Sequence, residues 1–151
     1  MRETLFNWLN PYLNGARCLD LFAGSGVLGL EALSRGAGAA TLVEKDTQLA
    51  DQLTAIAEQF NHPGLTIIHG DALDWLRKTP PVPQNIVFLD PPFNQDLLHP
   101  TIALLQTGWL APHALIYIES GNNLADLALP GSLEWTKHAR VGNVSLGLAA
   151  A

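Results

Sequence analysis

The sequence predicts an α/β fold with a mostly parallel seven-stranded sheet that closes in an antiparallel hairpin. Three observations carry that expectation. Apolar runs of strand length alternate with helically spaced apolar residues along the chain, separated by short Gly, Pro and Asn punctuation. The run Ile86-Val87-Phe88-Leu89 is apolar at every position, as a strand buried on both faces must be. The last stretches, 133–140 and 143–148, are joined through Val141-Gly142 and read as a hairpin.

The elements follow in order. Residues 17–22 form the first expected strand. Leu28 to Arg35 form a helix after a glycine loop, with Gly36 placed to end it. Residues 40–44 give the second strand. Leu49, Leu53, Ile56 and Phe60 then fall on one face of a helix. A third strand covers 65–68, a short helix 72–78 and a fourth strand 86–89. Leu98, Ile102 and Leu105 repeat the helical spacing, with Pro100 tolerated in the first turn and Gly108 as a stop. Ala114 to Glu119 make strand five, and 121–131 are loop. Strand seven is expected to end at Leu148, with Ala149-Ala150-Ala151 standing apart from the native fold.

The chain has 151 residues, 48% of them hydrophobic and 15% charged, which suits one domain spanning 1–151. No apolar run approaches the roughly 20 residues of a membrane helix, so no membrane partner is expected. Cys18 is the sole cysteine, so no internal disulfide is possible and a cytoplasmic location is expected. His62, His69, His99, His113 and His138 are scattered without zinc spacing, and no metal is expected. The formal charge of −6 argues against a strong grip on nucleic acid by these residues alone.

The chemistry concentrates at strand ends. Asp20-Leu21-Phe22-Ala23-Gly24-Ser25-Gly26 runs from strand to helix through a glycine turn that brings backbone N–H groups close to a ligand. A lone G-x-G is weak evidence, and here Gly29 follows three residues after Gly26. Glu44 ends the next strand, 18 residues past Gly26, where a carboxylate can accept both ribose hydroxyls. Asp71 can accept from an adenine amino group while the Ala72 N–H donates to the ring. Equally, Asp71 can be no more than a helix N-cap. Asp20 is placed to meet the positive amino group of a methionine moiety.

Asp90-Pro91-Pro92-Phe93 ends the fourth strand with two residues that lack a backbone donor, which opens a rigid loop. The Asp90 carboxylate, the Pro91 carbonyl and the Phe93 ring suit a planar group bearing an exocyclic amine. Read with the glycine loop, the motif points to an S-adenosylmethionine-dependent amino-methyltransferase of Rossmann-like fold. The expected cofactor site comprises Asp20, Phe22, Gly24, Ser25, Gly26, Glu44, Lys45, Asp71, Ala72 and Asp90, and the catalytic residues are Asp90, Pro91, Pro92 and Phe93. Cys18 reads as a core residue rather than a nucleophile.

Together RETLFNWL (2–9), DLFAGSGVLG (20–29), LEALSR (30–35), VEKD (43–46) and NIVFLDPPF (85–93) resemble the RsmD-type bacterial small-subunit ribosomal RNA guanine-N2 methyltransferases, over nearly the whole chain. The resemblance implies that Asp20, Gly24, Gly26, Glu44, Asp71 and Ala72 hold S-adenosylmethionine and that Asp90 to Phe93 hold the target guanine. It implies ribosomal RNA or a small-subunit assembly particle as partner, and a monomer is expected. Family members carry a basic stretch ahead of the position matching Arg2, so the sequence is expected to be an N-terminally truncated member. Two alternatives stay open: N-methylation of DNA adenine or of a protein glutamine amide, and cofactor binding without catalysis, including a nicotinamide-binding domain.

Overall fold

A computed structural model describes residues 2–92, 96–124 and 127–151. Among these, seven strands form one sheet: β1 (Arg17–Asp20), β2 (Ala39–Glu44), β3 (Leu65–His69), β4 (Gln84–Leu89), β5 (Leu110–Ser120), β6 (Glu134–Val141) and β7 (Val144–Ala150). The order across the sheet is β3-β2-β1-β4-β5-β7-β6. The five strands from β3 across to β5 run parallel, while β7 pairs antiparallel with both β5 and β6. The order reverses between β1 and β4, and ligands of open α/β sheets bind outside the carboxyl ends of the strands at such a switch point.

Helices cover both faces. Alternating strand residues explain why: Cys18, Leu42, Ile86 and Phe88 point to one core, Leu19, Val43, Val87 and Leu89 to the other. The first core is closed by α1 (Arg2–Leu9), α2 (Val27–Ser34) and α3 (Thr47–Phe60); the second by α4 (Ala72–Lys78) and α5 (Leu98–Leu105). Phe88 sits fully buried between Phe6 and Tyr117, with ring centroids 6.3 and 6.5 Å away. Burying a side chain of that size contributes about 1.5–3 kcal/mol.

The expected fold class is the observed one, and several boundaries move. The first strand stops at Asp20 rather than 22, because Leu21 and Phe22 turn into the glycine loop. Strand five begins at Leu110, four residues before the expected start. Pro112, His113 in a left-handed conformation (φ 64°) and a register shift opposite Gln84 and Ile86 hide its beginning. The α3 face is only half buried: Leu53 is covered, but Ile56 and Phe60 are exposed. This helix packs on β3, an edge strand with no neighbour beyond it to bury its last turns.

The end of the chain also corrects the reading. Strand β7 continues past Leu148, with Ala149 fully buried opposite Ile116 and Trp135 and Ala150 paired to Leu115 and Glu134. Ala151 donates its N–H to the Ala114 carbonyl at 2.9 Å. Small residues fit here because the strand is packed closely: a Cβ on Gly147 would come within 2.4 Å of the Trp135 ring. At the other end, α1 buries Leu5, Phe6 and Leu9 and runs into the 3₁₀ turn Asn10–Tyr12. Leu5 and Leu9 stand four residues apart, a helical spacing that places both on the buried face.

Candidate active site

The loop after β1 is held by its own hydrogen bonds. Ala23 donates to the Val43 carbonyl at 3.0 Å and Gly26 to the Ala23 carbonyl at 2.8 Å. Gly24 (φ 58°) and Gly26 (φ 78°) both take left-handed conformations open to glycine. Their surroundings differ. A Cβ on Gly24 would meet nothing within 4 Å, whereas one on Gly26 would lie 2.5 Å from Leu53 Cδ2. A Cβ on Gly29 would likewise lie 2.5 Å from Leu42 Cδ1, so the bare glycine lets α2 lie close on the sheet. Gly24 therefore leaves room for a ligand, while Gly26 and Gly29 leave room for packing.

A cavity of about 890 Å³ opens over the strand ends. It is lined by Phe22, Ala23, Gly24 and Ser25 from the first loop, by Glu44 to Thr47, by Gly70 to Ala72, and by Asp90 to Pro92. Eight of the ten expected cofactor residues line it: Phe22, Gly24, Ser25, Glu44, Lys45, Asp71, Ala72 and Asp90. Gly26 does not, for the packing reason above. Asp20 does not either: it lies below, 3% exposed, and lines a second cavity.

Glu44 organises the rim. Its Oε1 accepts from the Gly24 N–H and its Oε2 from the Asp46 N–H, each at 2.7 Å. A carboxylate has about four lone-pair sites, so capacity remains for two hydroxyl donors. Asp71 is indeed the N-cap of α4, accepting from the Asp74 N–H at 3.0 Å through Oδ2. Its Oδ1 faces Lys45 Nζ at 3.9 Å, across an exposed pair that contributes little to stability. Asp46 caps α3 in the same way. His69, the histidine nearest the cleft, has Nε2 3.4 Å from the Thr47 hydroxyl. A Cβ on Gly70, as on Gly24, would project into open space. A cradle of glycines, carboxylates and backbone N–H groups fits an adenosyl ligand with a ribose.

The second cavity, about 270 Å³, adjoins the first. Phe22, Ala23, Ser25 and Asp90 line both; Arg2, Asp20, Leu28, Tyr117 and Glu119 belong to the smaller one. Burial pushes the Asp20 carboxyl up to about 7, and the nearby Asp90 and Glu44 charges add to the rise. Hydrogen bonds from the Phe22 and Gly29 backbone hold it down in part. Burial likewise raises Asp90, and the neighbouring Glu119 carboxyl offsets part of that rise. Glu119 is pushed up to about 7 by burial, then by the neighbouring Asp90 carboxyl and its charge. Burial also raises Tyr117.

Glu119 and Tyr117 are the site residues that the sequence reading does not include. A signal exists for one of them: Glu119 lies at the end of strand five as Glu44 ends strand two. Phe93, expected to stack on the substrate, lies outside the described residues. Cys18 is buried, and desolvation pushes its thiol up to about 12, as expected of a core residue. Among the described residues, no group of three or more His, Cys, Asp or Glu is placed to hold a metal ion, and no helix is long and apolar enough to cross a membrane.

Sheet order, glycine loop and acidic strand ends define the Rossmann-like fold of the S-adenosylmethionine-dependent methyltransferases. A family model described as conserved hypothetical protein 95 matches residues 1–150. The ribosomal RNA small subunit methyltransferase D of Escherichia coli is 50% identical over 121 residues, covering 80% of this chain and 61% of that protein. The protein of the same description from Haemophilus influenzae is 41% identical over 152 residues, covering 98% of this chain and 78% of its own length. A solved structure from Escherichia coli described as a methyltransferase, yhhF, superposes with a TM-score of 0.91 at 41% identity, covering 99% of this chain and 83% of that one. The chain belongs to this RsmD-type family. It spans 61% of the length of the first of these relatives.

Proposed function

We propose that the protein transfers a methyl group from S-adenosylmethionine to the exocyclic N2 amine of a guanine in small-subunit ribosomal RNA. The observation that carries this reading is that the two cavities meet at Asp90. The larger falls within the roughly 300–1,000 Å³ of small-molecule sites, and the smaller opens beside it at the carboxylate proposed to hold the amine. Family membership supports the substrate class, since the Escherichia coli and Haemophilus influenzae relatives are described as acting on small-subunit ribosomal RNA. A cytoplasmic location follows from that substrate.

In this reading Glu44 holds the ribose, Asp71 and the Ala72 N–H hold the adenine, and Gly24 and Ser25 face the chain between adenosine and sulfur. Asp20 stays beneath the loop as a buried acid whose charge favours a cationic methionine group above it. Bound S-adenosylmethionine would supply an electrophilic methyl; a C–N bond would form as its C–S bond broke, and the surplus amine proton would leave through the Asp90 carboxylate that accepts the N–H. The work of the protein is done on the amine. Its lone pair is delocalised into the purine ring and is a poor nucleophile. Acceptors at Asp90 and the Pro91 carbonyl direct both N–H bonds away from the cofactor, leaving the lone pair facing the methyl. Such positioning, with charge held ready for the developing positive nitrogen, supplies much of the rate. The base must leave its stack to reach this pocket.

The test is methyl transfer from labelled S-adenosylmethionine to small-subunit particles, naked ribosomal RNA and DNA oligonucleotides, followed by nucleoside analysis. N2-methylguanosine in the ribosomal substrates is the expected product. Methyladenine in DNA, or no transfer with intact cofactor binding, would replace this reading with one of its alternatives.

A further inference from the structure

Asp90 and Glu119 leave neighbouring strands side by side. Leu89 of β4 is in register with Ile118 of β5, so the next residue of each chain emerges at the same level of the sheet edge. Glu119 is 9% exposed, and both carboxyls line the smaller cavity. Two carboxyls brought together in a largely buried site repel when both are ionised, which favours one proton held by the pair.

We propose that Glu119 is the positioning residue of the active site: as the neutral partner it donates its carboxyl proton to the Asp90 carboxylate and fixes the oxygen that receives the target amine. The inference rests on the methyl-transfer reading above and deepens it. The assignment of the proton follows from the environment of each group. Glu119 is buried whereas Asp90 is half-buried, so loss of solvent weighs more on Glu119 and the charge resides on Asp90. An ionised Asp90 is the stronger acceptor for an amine N–H. With one oxygen occupied by Glu119, the other is free for the substrate, and the carboxylate cannot rotate to present both to solvent.

The groups around the pair are Asp20 from β1, Tyr117 from β5 and Arg2 from α1. Buried Asp20 adds negative potential when ionised and so opposes a second charge on Asp90 and Glu119. Arg2 is more than half exposed and lies 4.0 Å from Glu31, which spreads its charge away from the pair. Tyr117 stays neutral at working pH, being raised by burial. The surroundings therefore favour one shared proton over two charges.

The test compares Glu119→Gln with Glu119→Ala in the full chain. A glutamine amide donates to Asp90 at every pH, while alanine cannot donate at all. The wild-type kcat should fall as pH rises through about 7, because the donor is lost when Glu119 ionises. E119Q should stay within about 3-fold of wild type and lose that fall. E119A should drop kcat by about 10-fold or more with KM for cofactor nearly unchanged, the pattern of a lost transition-state interaction. Full activity in E119A would overturn the proposal. So would E119Q as impaired as E119A, which would make Glu119 a proton acceptor. Should the wild-type chain transfer no methyl group to ribosomal RNA, the function reading fails separately. Carboxyl ¹³C NMR of Asp90 then still decides the pairing: an ionised Asp90 beside a neutral Glu119 supports it, and the reverse overturns it.

Discussion

The backbone N–H of Gly24 donates to Oε1 of Glu44 at 2.7 Å, tying the glycine loop after β1 to the end of β2. One carboxylate thus shapes the loop and faces the cavity that the loop lines. Its second oxygen holds the Asp46 N–H, so the start of α3 is fixed to the same group. A ligand arriving at Glu44 meets acceptors already oriented, with little ordering left to do.

Replacing Glu44 by alanine should weaken S-adenosylhomocysteine binding by about 1.5–3 kcal/mol, the range for hydrogen bonds to a charged group. Calorimetry reads this directly. Unchanged affinity would remove Glu44 from the cofactor site, and tighter binding of NAD than of S-adenosylhomocysteine would sink the cofactor assignment.

Asp90 should matter more to turnover than to cofactor affinity. Asp90→Ala is expected to lower the methyl-transfer rate on the order of 10²-fold, as for a lost transition-state hydrogen bond. Single-turnover kinetics beside calorimetry separate the two effects. Near-normal turnover would rule out its proposed contact with the amine.

The two loop glycines should fail in different ways. Gly26→Ala places a Cβ 2.5 Å from Leu53 Cδ2 and 3.1 Å from Leu42 Cδ2, at a φ of 78°. Overpacking and left-handed strain together should cost about 1–3 kcal/mol of stability, visible in urea unfolding. Gly24→Ala meets open space, so beyond the strain of its φ of 58° it should lose cofactor affinity rather than overpack the core. A stable Gly26→Ala variant would show that the loop yields more easily than its packing implies.

Stability should decline as pH rises. Asp20 is raised from 3.8 to about 7 and Glu119 from 4.5 to about 7. A group held up in this way binds its proton more tightly when folded, so its contribution is complete below the unfolded pKa and is lost as pH passes the folded one. The melting temperature without ligand should therefore fall between about pH 4 and pH 7, and Asp20→Asn should flatten the fall. An unchanged slope in that variant would mean Asp20 is ionised throughout.

These 151 residues should bind ribosomal RNA weakly and with steep salt dependence. They hold 8 basic against 14 acidic side chains, and phosphate contacts set most nucleic-acid affinity. Filter binding at two salt concentrations, with and without a basic N-terminal extension, reads both effects. Equal affinity for the two versions would place RNA recognition in the sheet and its loops.

Much of this molecule was determined by local sequence. The all-apolar run 86–89, the helical spacing of 98–105 and the glycine punctuation each encode one element, because period and backbone freedom act within a few residues. Acids at strand ends were legible for the same reason: a strand must stop, and in a parallel sheet the residues at its carboxyl end border the cleft. Tertiary structure decided the rest. Only the packing against Leu53 and Leu42 separates Gly26 from Gly24, two glycines identical in sequence terms. Only the register of β4 against β5 brings Glu119 to Asp90, 29 positions apart in the chain. Burial, a property of all the layers at once, then raises both acids and makes a second charge on the pair costly.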